Sequence, residues 1–189
     1  MLREKLYHEI AGVFCILVSL LFMLSLLAHE PADMGALAGN LPVENLIGPF
    51  GAWISHYLFA GIGYSSYLIA IFFANMGLLV IKKEWKDVIL ERACSYFILI
   101  VSTGSFFSLI LASGGGSLGN AVARYLTGTI GMIGAWVVII LFNLIAFIFS
   151  GIMTLAQLRH VDLRGLAGSI GNRSEEHTSE LQSRITTSY

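Results

Sequence analysis

Four stretches of this chain, residues 10–28, 57–81, 93–112 and 132–154, contain no Asp, Glu, Lys or Arg. Each is close to the roughly 20 residues that a helix needs to cross the hydrocarbon core of a bilayer. Inside hydrocarbon a backbone must satisfy its own hydrogen bonds, so such stretches become helices unless they close a barrel. The pattern predicts an all-α polytopic membrane protein with four transmembrane helices. Composition agrees, since only 12% of the residues are charged, against roughly a quarter in soluble domains. Arg3 and Lys5 before the first stretch give it the flank of a signal peptide. It is longer than a signal core and no small-residue cleavage site follows before His29-Glu30-Pro31, so it reads as a retained span.

Basic residues set the expected orientation. Arg3 and Lys5 precede span one, Lys82, Lys83, Lys86 and Arg92 lie between spans two and three, and Arg159 and Arg164 follow span four. The loop after span one has no Lys or Arg, and the loop after span three leads only to Arg124. The positive-inside rule then puts both termini and the middle loop in the cytoplasm, and Lys82, Lys83 and Lys86 read as a topology and anionic-lipid signal. Cys15 and Cys94 lie in or beside apolar spans without a CxxC partner, which makes them small buried hydrophobes in this reading.

Shifted by 68 residues without a gap, the chain matches itself at Gly48/Gly116, Gly51/Gly119, Tyr57/Tyr125, Leu58/Leu126, Ile62/Ile130, Gly63/Gly131, Ile71/Ile139 and Asn75/Asn143. Both copies run inward, so the expected architecture is two parallel-repeat hairpins related by an axis along the membrane normal. Each copy opens with an approach segment of helical periodicity: Leu46, Ile47, Phe50, Trp53, Ile54, Tyr57 and Leu58 after Pro49 in the first, and Val122, Tyr125, Leu126 and Ile130 after the Gly114-Gly115-Gly116 turn in the second. These are short amphipathic helices on the external interface, anchored by Trp53, Tyr57 and Tyr125, or else extensions of long tilted spans. Gly61 and Gly63, then Gly128 and Gly131, mark the expected bends.

Ionisable groups at membrane depth are costly and therefore diagnostic of transport or catalysis, and the four spans carry none. His56 sits at a span edge, where a hydrated imidazole is the expected state; His29, Glu30, Asp33 and Glu44 read as solvated loop charge. No HExxH, GxSxG or phosphate-binding loop motif occurs. The remaining polar signal is Asn75 and Asn143, for which helix packing, substrate binding and lipid-facing neutrality are the alternatives. Gly77, Ser150 and Gly151 would let neighbouring backbones approach closely.

The segments NLIGPFGAWISHYLFAGIGYSSYLI and GGGSLGNAVARYLTGTIGMIGAWVVII, with the Gly-Ala-Trp pattern at Gly51-Ala52-Trp53 and Gly134-Ala135-Trp136, resemble the N-terminal membrane domain of the FtsK/SpoIIIE family of septal DNA translocases. The resemblance covers most of residues 1–171. It implies a non-enzymatic membrane anchor and oligomerisation domain in the bacterial inner membrane at the division septum, acting in cell division and chromosome segregation. It further implies a homo-oligomer, a hexamer by the family's pattern, with other division proteins and the lipid bilayer as partners. ATP, Mg and nucleic acid belong to a motor that is not in this sequence, and no cofactor, metal or direct nucleic-acid contact is expected here. On this reading Asn75, Asn143, Gly63 and Gly131 pack the bundle. The reading from another class is a small two-repeat transporter or channel.

The last residues, 172–189, are strongly polar. Within them RSEEHTSELQS, Arg173 to Ser183, resembles a translated sequencing-library adapter, so this tail is expected to be disordered and non-native.

Overall fold

The computed structural model describes residues 2–82, 88–111 and 113–151. Lys83, Lys86, Arg159, Arg164, the end of the fourth expected span and the polar tail lie outside the described residues. Among the described residues six α-helices follow one another: α1 Leu2–Leu27, α2 Asp33–Ala38, α3 Gly48–Ile62, α4 Tyr67–Lys82, α5 Ile89–Ile110 and α6 Gly116–Ser150. A single 3₁₀ turn, Gly63–Ser66, joins α3 to α4, and no strand occurs among the described residues. Four stretches of the described residues are long and apolar enough to cross a membrane: Leu6–Leu27, Gly48–Lys82, Ile89–Ile110 and Gly116–Ser150.

Two of these stretches are 35 residues long, about 52 Å if straight at 1.5 Å per residue, well beyond a hydrocarbon core of roughly 30 Å. Glycine interrupts both. Gly63 takes φ 63° and ψ −142° at the end of α3, and Gly131 takes φ 73° and ψ 172° within α6. Their starts also match, with Gly48 at φ 70° and Gly116 at φ 61°. L-residues avoid this half of backbone space and glycine does not. The four glycines are the Gly48/Gly116 and Gly63/Gly131 pairs of the 68-residue shift, so the repeat holds in the backbone as well as in the sequence.

Each half is a hairpin in which one helix packs along a broken one: α1 against α4 and the start of α3, and α5 against α6. Small residues set the spacing. A Cβ on Gly12 would lie 2.7 Å from the Gly77 carbonyl, and one on Gly77 would lie 2.8 Å from the Gly12 carbonyl. In the second hairpin a Cβ on Gly119 would stand 2.5 Å from the carbonyl carbon of Gly104. Ala70 and Ser150 are fully buried. The outward faces are broadly apolar, with Phe14, Val137, Leu144 and Phe149 among many large exposed side chains. Water would not tolerate such a surface, whereas lipid is its matching solvent.

The loop between α1 and α3 is more ordered than its polarity implied. Asp33 is buried, and its carboxylate accepts the backbone N–H groups of Glu44 at 2.8 Å and Asn45 at 3.1 Å. Asn45, also buried, donates to the carbonyls of Ser25 and Ala28 at 2.9 Å each, which ties the loop to the end of α1. The solvated-charge reading is therefore corrected for Asp33: its charge is offset by backbone donors that a folded loop alone can aim. Cys15 is half-buried and Cys94 exposed on α5, so neither is the buried hydrophobe expected.

Candidate functional site

The most constrained place in the molecule is where the Gly63 break meets the glycine turn before α6. A Cβ on Gly116 would lie 2.5 Å from the Gly63 nitrogen and 2.6 Å from the Ile62 nitrogen, so only glycine permits this approach. The Tyr64 N–H donates to the Gly114 carbonyl at 2.9 Å, and the Ser117 hydroxyl donates to the Gly61 carbonyl at 3.2 Å. Ser65 and Ser66 are buried beside the joint, with the Ser65 hydroxyl donating to the Ile62 carbonyl at 2.7 Å. The Tyr64 and Phe107 rings, 5.5 Å between centroids, flank it. Breaking a helix frees backbone groups, and here the other half of the repeat satisfies them.

Beyond the joint, the two halves meet between α4 and α5, where Asn75 lies, while Asn143 works inside the second hairpin, between α6 and α5. Asn143 on α6 donates to the Thr103 hydroxyl of α5 at 3.1 Å. Asn75 on α4 turns its amide toward the hydroxyl of Tyr96, a residue only 2% exposed whose hydroxyl has no well-formed hydrogen bond. Both asparagines thus point at α5, on different residues. Phe72 closes over Tyr96 at 5.0 Å. The groove beside Asn143, about 380 Å³, is otherwise lined by Thr103, Phe106, Phe107, Ile140, Leu144 and Phe147, and offers an ion no charge.

The aromatic residues singled out in the sequence lie on outward faces. Trp53 and Tyr57 are tilted together at 4.7 Å and both are exposed; Tyr125, at the equivalent place in the second half, is exposed too. The Gly-Ala-Trp pattern is not part of the repeat in space: Gly51-Ala52-Trp53 precedes the Gly63 break, whereas Gly134-Ala135-Trp136 follows the Gly131 break. Trp136 packs edge-on to Phe106 at 5.5 Å.

His29 was read as solvated and is instead half-buried. It stacks on Phe59 at 4.4 Å and its Nδ1 lies 3.1 Å from the Ser55 hydroxyl. Burial, then the nearby His56, push its pKa below the ordinary 6.5 against the smaller opposing pull of Glu30 and Asp33. Among the described residues no three His, Cys, Asp or Glu side chains are grouped to hold a metal ion. Thr103, Tyr96 and Asn45 carry polar contacts that the sequence did not single out; each becomes visible only when distant segments pack.

No solved structure matches the chain. A family model described as the 4TM region of DNA translocase FtsK/SpoIIIE matches residues 4–161, a stretch that contains α2 to α6 and all but the first two residues of α1. That region is the membrane part of such translocases and not their ATPase motor. With four apolar helices, two glycine breaks in register and a family match over most of its length, this multi-pass membrane chain belongs to the FtsK/SpoIIIE four-transmembrane family.

Proposed function

We propose that this chain is the membrane anchor and oligomerisation domain of a septal DNA translocase, seated in the bacterial inner membrane with both termini in the cytoplasm. The family match carries the reading. The polar residues at depth support a structural role, since Asn143 is engaged by Thr103 and Asn75 is turned onto Tyr96. Asn75, Asn143 and Gly63 hold the bundle, Gly131 breaks α6 at the equivalent point, and Trp53, Tyr57 and Tyr125 set its depth. ATP, Mg and DNA would be handled by a motor outside this sequence, and division proteins are partners of the assembled anchor.

Fusing the chain to a fluorescent protein in a rod-shaped bacterium tests the reading. The expected signal is a band at mid-cell that appears with the constricting septum. A uniform envelope signal through the division cycle would remove the septal role, and a soluble cytoplasmic signal would remove the anchor role as well.

A further inference from the structure

The joint between the two halves uses the break of the first repeat and the turn of the second. Gly63 and Gly116 interlock so closely that a Cβ on Gly116 would lie 2.5 Å from the Gly63 nitrogen. The repeat also supplies a second break, at Gly131, and a second turn, at Gly48, with the same positive φ. Among the described residues neither is mated: at both Gly131 and Gly48 the space where a Cβ would stand is open, with none of them within 4 Å. The flanking residues tell the same story: Ser65, beside the first break, is 1% exposed, whereas its repeat equivalent Ile133 is 83% exposed. Leu46, the equivalent of the acceptor Gly114, is 72% exposed.

We propose that the Gly131 break of one copy docks on the Gly48 turn of a second copy of this chain, repeating between copies the joint that Gly63 and Gly116 make within one. This deepens the oligomerisation reading and rests on it. In the repeated joint the Met132 N–H donates to the Leu46 carbonyl of the second copy, as the Tyr64 N–H does to the Gly114 carbonyl. Ile133 becomes covered as Ser65 is. One bond is lost, because Pro49 stands where Ser117 supplies its hydroxyl.

Three considerations favour a second copy as the occupant. A joint of this kind is realised once inside the chain, and glycine with the same positive φ stands at both contact positions of its counterpart, Gly131 and Gly48. Break and turn lie in repeat register, so the two members of the joint stand at matching depths in neighbouring copies. Lipid, the other candidate cover, offers an interrupted helix no hydrogen-bonding group in the hydrocarbon. The joint is head-to-tail, with different surfaces on the two partners. Such contacts build a ring when the rotation per copy closes and an open array when it does not.

Cysteine crosslinking of the full chain in liposomes of phosphatidylethanolamine and phosphatidylglycerol tests the geometry. Cys15 and Cys94 are first replaced by Ser, and Leu46→Cys and Met132→Cys are then introduced together. Mild oxidation should give a ladder of dimers and larger species from the double variant, dimers alone from a mixture of the two single variants, and neither from a single variant. Photobleaching steps of a fluorescent label count copies in the same vesicles. Several copies without crosslinks overturn this docking and leave oligomerisation standing; one copy per vesicle at lipid excess overturns both. Ile133→Trp, at an exposed position that cannot disturb the isolated chain's core, should weaken association by about tenfold or more, and unchanged association would count against the joint.

Discussion

Replacing Gly63 by alanine puts a methyl group against the Gly114 carbonyl and holds an L-residue at φ 63°. At Gly131 the same replacement meets only the backbone cost, about 1–3 kcal/mol for such conformations, because no described residue lies within 4 Å. Gly63→Ala should therefore lower the unfolding midpoint of the single chain in detergent more than Gly131→Ala does; equal losses would mean that the intramolecular joint does not contribute. For the asparagines, Asn143→Leu combined with Thr103→Val should give a coupling near 0.6 kcal/mol, with about 1.7 kcal/mol as the ceiling. Asn75→Leu and Asn143→Leu should add independently, since they meet Tyr96 and Thr103 respectively. His29 adds a pH dependence. Its folded pKa lies below the unfolded 6.5, so the unfolded state binds the proton more readily. The stability present above 6.5 is lost as pH falls from that value through the folded pKa. Thermal midpoints at successively lower pH should drop, and His29→Phe, which retains a ring against Phe59, should flatten the drop.

Helix number and the glycine interruptions were legible because they are local: hydropathy sets length, and glycine marks where a long apolar helix can turn. The choice among glycines was not local. Gly61 and Gly128 were as good candidates as Gly63 and Gly131, yet Gly61 and Gly128 carry no positive φ. Repeat register separates the pair that matches itself, Gly63 and Gly131, from Gly61 and Gly128, whereas glycine position alone marks all four as bends. Asp33 and His29 were misread because their partners, the Glu44 and Asn45 amides and the Ser55 and Phe59 side chains, come from segments whose approach no local pattern encodes. The crossing of α1 and α4 at Gly12 and Gly77 belongs to the same class. Gly77→Ile places a branched side chain where Ile16 and the Gly12 carbonyl already stand, and overpacking of this kind costs about 1–3 kcal/mol. The second-half equivalent, Ile145, is exposed, so the substitution makes the sequence repeat more exact and the fold worse. A stability measurement that found Gly77→Ile neutral would mean the helices can slide apart at no cost.

Across the whole molecule, charge and helix order set an expected orientation. An even number of spans returns the chain to the side it left, so both ends of the bundle share a side with the loop between α4 and α5. By sequence position Arg3 and Lys5 come before span one and Lys82, Lys83, Lys86 and Arg92 between spans two and three, whereas the stretches between spans one and two and between spans three and four lead only to Arg124. Lys and Arg flanking a span resist transfer across the membrane, and their bias decides which way the first helix inserts. With Cys15 and Cys94 replaced by Ser, a membrane-impermeant maleimide added to intact spheroplasts should modify a cysteine placed at Asn40, which is exposed, or at Ser117, which is exposed beside the turn. A cysteine at Lys83 should react only after permeabilisation. The two external positions belong to different halves of the repeat, so modification of both also tests whether the halves share one orientation. Labelling at Asn40 without Ser117 would make the repeats inverted and undo the head-to-tail joint, whereas labelling at Lys83 in intact cells would turn the whole bundle over while leaving its internal packing as described.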